Sequence, residues 1–79
     1  MTVELMEPIK VMAVFEKDVV PVKFKWRGRV YPVKEVTCTW RSKQGAAALM
    51  HFCVTDGESL YELIYDSAAM KWSLGGADG

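Results

Sequence analysis

The chain has no run of about 18 uncharged apolar residues, which leaves no candidate for a membrane-spanning helix. Its start, Met1-Thr2-Val3-Glu4-Leu5, lacks the basic segment and long apolar stretch of a signal peptide. Cysteine is scarce: Cys38 and Cys53 are too few for a disulfide scaffold and too far apart for CxxC. Together these absences predict a cytoplasmic protein with reduced thiols and no membrane partner. Histidine occurs once, at His51. Cys38, His51 and Cys53 make three plausible metal ligands where zinc normally takes four, so no metal or other cofactor is expected. No P-loop, dinucleotide fingerprint or nucleophile elbow is present. Nor does any residue stand out to orient His51 toward Cys53, so no enzyme is expected. Helical periodicity is missing as well. Gln44–Ala48 has some helix propensity, but it is short and contains Gly45.

What remains is alternation. The 79 residues, 51% hydrophobic and 25% charged, suit one globular domain. Ile9, Val11, Ala13 and Phe15 recur at period two, as do Val22, Phe24 and Trp26, then Met50, Phe52 and Val54, then Tyr61, Leu63 and Tyr65. That period, rich in β-branched and aromatic residues, is the mark of half-buried strands. Turns are expected at 16–19, at Arg27-Gly28, at Gly45, at Asp56-Gly57 and at 67–70. They place Val11 and Tyr31 beside Phe24, Trp40 opposite Met50, Phe52 opposite Tyr61, and Leu63 opposite Leu74. All select one apolar face, and a one-residue slip would move every side chain off it. Trp40 is thereby expected in the core, with Cys38 on the face opposite His51 and Cys53. Tyr31 and Val33 differ in parity from Val36, Cys38 and Trp40, which calls for a bulge near residues 32–35. The expected fold is all-β: six antiparallel strands at about 8–15, 20–27, 29–41, 47–55, 59–66 and 70–74. They run in meander order and curl strongly into a half-barrel or small barrel. Residues 1–7 and 75–79 are expected as flexible tails.

Zero net charge conceals an asymmetry. Between residues 19 and 50 lie Lys23, Lys25, Arg27, Arg29, Lys34, Arg41 and Lys43 against Glu35 alone, a local charge of +6. The rest of the chain carries −6. Trp26, Tyr31 and Trp40 interleave with those bases, a pattern that suits neutralisation of a nucleic-acid backbone with base stacking. A solvated strand face would also look like this, since edge lysines discourage aggregation. Leu49, Leu60 and Ile64, with Cys53, point away from the expected core. They form an alternative contact surface for another protein or a second copy.

Phe24-Lys25-Trp26-Arg27-Gly28-Arg29-Val30-Tyr31-Pro32-Val33, followed by Trp40-Arg41, Tyr61-Glu62-Leu63-Ile64-Tyr65-Asp66 and Trp72, resembles a family of small bacterial domains of unknown function. The resemblance spans about residues 20–74. A similar string ends the mutasome's catalytically inactive Y-family polymerase paralogue. The chain departs from the family at His51-Phe52, where tyrosines are usual, and in its apolar Gly45–Ala48 loop. The resemblance implies no catalytic residue and tilts the function toward DNA repair. The sequence thus predicts a non-catalytic binding module, monomer or weak homodimer, acting on nucleic acid or on a replication or repair protein.

Overall fold

A computed structural model describes residues 2–78, with side chains from Met6 onward. Seven strands form one antiparallel sheet: β1 (Thr2–Phe15), β2 (Val19–Trp26), β3 (Arg29–Pro32), β4 (Glu35–Gln44), β5 (Ala47–Thr55), β6 (Leu60–Asp66) and β7 (Lys71–Asp78). Their order across the sheet is β3-β2-β1-β7-β6-β5-β4. The described residues contain no helix, so none is long and apolar enough to cross a membrane.

Two hairpins run as the residue pattern dictates. Val11 lies beside Phe24 and Phe24 beside Tyr31. Arg27 and Gly28 both have positive φ, 51° and 80°, as a two-residue turn that matches strand twist requires. In the last hairpin Tyr65 pairs with Trp72, Leu63 with Leu74 and Asp66 with Lys71. Asp66 does not ion-pair with Lys71 but caps the turn, its Oδ1 accepting the Ala68 and Ala69 N–H groups at 3.0 Å each. Asp56 caps its own turn in the same way. That turn has four residues rather than two, so Phe52 meets Leu63 and Val54 meets Tyr61. The pairing moves two places and the apolar face survives.

Four expectations are corrected. First, the sheet has seven strands: the bulge awaited near 32–35 is a break, with β3 ending at Pro32 and β4 starting at Glu35. Proline cannot donate to a ladder, and its chain leaves the β2 edge here. Second, the order is not a simple meander. Residues 2–7, expected as a tail, extend β1, and residues 75–78 extend β7; Thr2 pairs with Asp78 and Glu4 with Gly76. The first strand therefore lies in the middle of the sheet. Third, the sheet is open rather than rolled into a barrel. No ladder joins β3 to β4; the two residues between them bond to the neighbouring strands instead, Val33 N–H donating to Val22 O of β2 and Lys34 N–H to Thr55 O of β5.

Fourth, β4 slips against β5. Val36 faces Val54 as expected, but the register then shifts, and Trp40 faces His51 while Cys38 faces Cys53. Trp40 leaves the core and stands 42% exposed on the other face. A smaller shift after Met12 puts Pro21, not Val22, opposite Ala13; Pro21 is buried and Val22 exposed.

The core is one cluster on the inner face: Phe24, Phe52, Val54, Tyr61, Leu63, Tyr65 and Leu74, with Ile9, Val11, Trp26, Tyr31 and Trp72 packed against it. Aromatic contacts tie it together within the β2–β3 hairpin and between β2 and β6, three strands away in the sheet. Phe24 stacks on Tyr31 at 5.2 Å between ring centroids and meets Tyr61 edge-on at the same distance. Such contacts add about 0.5–1.5 kcal/mol each beyond the area they bury. The same packing leaves every alternate side chain on the outer face, where both candidate sites lie.

Candidate functional site

The outer face of β1 and β2 carries the first site. Because Val11 and Phe24 point inward together, Lys10 and Lys25 point outward together, directly opposed across the ladder. Lys23 follows two residues along the strand from Lys25, opposite Met12. Val30 and Pro32 of β3 extend the surface, facing Lys25 and Lys23. Met12 and Val30 are 56% and 61% exposed, so apolar surface separates the ammonium groups. Lys10, Lys23 and Lys25 form no salt bridge with any described residue. Like charges set opposite each other on a sheet destabilise it, and here no carboxylate among the described side chains pairs with them.

The remaining bases are distributed elsewhere. Arg27, at the β2–β3 turn, borders Lys10 and Lys25 but is already engaged. It binds Glu7 Oε1 at 3.1 Å and lies over the Trp26 ring at 4.7 Å. Glu7 also accepts the Trp26 indole N–H, and these two donors, the indole first, hold its carboxyl below the ordinary value. Arg29 lies over Tyr31 at 6.0 Å, on the inner side of the tip. Lys34 folds over Gly57 in the β5–β6 turn. Arg41 and Lys43 pair with Met50 and Ala48 on β4, at the other edge of the sheet and on its inner face. There Arg41 borders a hollow of about 320 Å³ lined by Val19, Val36, Met50 and Phe52. Of the seven bases expected to act together, the structure gathers Lys23 and Lys25, with Arg27 at the margin. It adds Lys10, which lies outside the basic stretch of sequence. The expected pairing of Val11 with Phe24 already implied Lys10 opposite Lys25. Trp26 and Tyr31 pack inward, so neither is available on this face for base stacking.

A second constellation occupies the outer face of β4–β6. Glu62 Oε2 accepts a hydrogen bond from His51 Nδ1 at 2.9 Å. An ionised carboxylate can only accept, so the neutral ring carries its proton on Nδ1 and leaves Nε2 bare. Ser42 Oγ–H donates to that nitrogen at 2.7 Å. Trp40 lies flat on the imidazole, 4.8 Å between centroids and 8° between planes. No residue stands out in the sequence to orient His51, yet the expected pairing of Phe52 with Tyr61 sets His51 opposite Glu62, which in the structure lies across from Cys53 and reaches His51 diagonally. The order of groups is that of a nucleophile, base and acid, but the setting is not. Ser42 stands exposed on an edge strand, and strand N–H groups lie in the sheet plane, across from no oxygen that a substrate on this face would present. Among the described residues, no three His, Cys, Asp or Glu side chains converge in a metal-binding arrangement.

The alternative apolar surface is divided. Ile64 faces outward but is only 8% exposed, covering Gly75, where an added Cβ would lie 2.7 Å from Ile64 Cδ1. Leu49 is half-buried opposite Asp66, and Leu60 is exposed opposite Thr55. Six residue steps along β6 separate those rungs, roughly 20 Å.

The family described as a domain of unknown function, DUF6504, matches residues 1–75, so the chain belongs to that family. No curated protein and no solved structure matches it.

Proposed function

We propose that this DUF6504 member is a cytoplasmic, non-catalytic module that holds the phosphate backbone of nucleic acid on the outer face of β1 and β2. The observation that carries this reading is the unneutralised set of Lys10, Lys23 and Lys25, with Lys10 directly opposite Lys25. A repulsive pair that no described carboxylate offsets is relieved when polyanion binds and its counterions are released. With the neighbouring aromatics turned inward, contact is made to phosphates and not to bases, and sequence selectivity is absent. The resemblance of the Phe24–Val33 string to the end of a mutasome component supports reading such a module as an accessory to DNA repair.

Three phosphate contacts give a log–log salt slope of about −2.7 on duplex DNA, a loss of about 40-fold in affinity between 50 and 200 mM salt. Fluorescence titrations against duplex and single-stranded oligonucleotides at those two concentrations test it. Binding with that salt dependence supports the reading. No binding at the lower salt, or binding indifferent to salt, overturns it.

A further inference from the structure

Cys38 and Cys53 are direct partners across the β4–β5 ladder. The register shift between Val36 and Cys38 leaves Thr37 as an extra residue, whose Oγ1 donates to the Cys53 carbonyl oxygen at 3.1 Å. Without that extra residue the Val36–Val54 pairing would continue and set Cys38 against Phe52, on the core side. The bulge turns Cys38 outward and sets it directly across from Cys53 on the same face. Directly opposed Cα atoms in an antiparallel pair lie ~4.5–5.5 Å apart, inside the ~4.4–6.8 Å range of disulfides. A direct cross-strand pair therefore has the Cα separation that a disulfide needs. Both thiols are free; Cys38 is exposed and Cys53 half-covered.

We propose that Cys38 and Cys53 form a reversible dithiol–disulfide site, oxidised by a small disulfide of the glutathione type. The exposed Cys38 gives its proton to solvent, and its thiolate attacks one sulfur of glutathione disulfide. That S–S bond breaks, and one glutathione leaves as thiolate and takes up a proton. Cys53 then gives its own proton to solvent and attacks the Cys38 sulfur of the mixed disulfide, displacing the second glutathione. The two cysteines lose two electrons, and one glutathione disulfide becomes two glutathione thiols.

The roles follow from the surroundings. Burial first, then the Cys38 contact and the facing Glu62, push the Cys53 thiol up to about 11. It is a poor nucleophile toward molecules from solution but is held one rung from Cys38, where proximity replaces acidity. β4 is an edge strand laddered only to β5. The disulfide adds a covalent staple to this edge, with Trp40 and Arg41 on it, and reduction leaves the ladder alone to hold it.

The test exposes the reduced protein to glutathione disulfide, quenches with acid, and follows free thiols and intact mass. The wild type should lose both thiols and two hydrogens, retain no glutathione, and recover both thiols in excess reduced glutathione. Cys53→Ser should stop as a glutathione adduct on Cys38, and Cys38→Ser should react more slowly than Cys53→Ser. The proposal is overturned if the wild type ends as a stable glutathione adduct or a disulfide-linked dimer. It is equally overturned if both wild-type thiols persist under conditions that modify Cys53→Ser.

Discussion

Trp40 lies parallel on the His51 ring, 4.8 Å between centroids, on the solvent side of the sheet. The ring below it is fixed at both nitrogens, by Ser42 and Glu62. Removing Trp40 therefore takes away a stacking partner and not a piece of core. Trp40→Ala should cost about 1 kcal/mol, the scale of one aromatic pair, where a core tryptophan would cost ~3–5 kcal/mol. The melt should stay cooperative, and the His51 ring protons should shift as the indole ring current is lost. Collapse of the melt would put Trp40 back in the core.

Leu63 and Leu74 face each other on β6 and β7, both fully buried. Leu63→Ala leaves a cavity among packed rings that cannot close over it, at a cost of ~3–5 kcal/mol. A domain of this length has about 4–12 kcal/mol in total. Urea denaturation should show the variant close to the limit of folding. An unchanged midpoint would contradict the placement of the core.

Two carboxyls make the fold acid-sensitive. Glu7 is held below its ordinary value of 4.5 by the Trp26 indole and then Arg27. Asp56 is held below 3.8 by the Ser59 and then the Glu58 backbone N–H. A depressed carboxyl stabilises fully above its unfolded value, and that contribution is lost as pH falls through the folded value. Melting temperature should therefore drop as the pH is lowered below about 4.5, and Glu7→Gln and Asp56→Asn should each flatten that fall. Wild-type and variant profiles that run parallel would show that these contacts do not form.

The hairpin around Arg27-Gly28 and the one ending in Trp72 were legible because local turn chemistry and strict alternation agree there. The pairing of β1 with β7 was not. Gly75 and Gly76 look like a frayed end in sequence, whereas the reason for Gly75 is remote: Ile64 occupies the space a side chain would need. That contact also hides Ile64, which alternation alone leaves exposed. The slip of β4 turns on a single extra residue, Thr37, with no local signature of a bulge. It moved Trp40 out of the core and Cys38 onto Cys53. The parity change between Val33 and Val36 calls for an irregularity at 32–35, where the strand breaks, but it gives no sign of the second one, at Thr37.

Lys10 and Lys25 set stability against binding. Replacing both by Ser removes a facing pair of like charges, so the melting temperature should hold or rise. The same change should reduce the salt slope by nearly two units, to about −0.9. Calorimetry and binding isotherms on one preparation check both. A variant that is less stable, or that binds with the wild-type slope, would remove these lysines from the interface.

Amide chemical shifts report, residue by residue, whether nucleic acid touches the outer face of β1 and β2. A short DNA duplex titrated into labelled protein at low salt should move the amides of Lys10, Met12, Lys23, Lys25 and Val30 together. Those of Trp40, His51 and Glu62 should stay in place, and added salt should reverse the shifts. Movement confined to β4–β6, or no movement at all, would contradict the account.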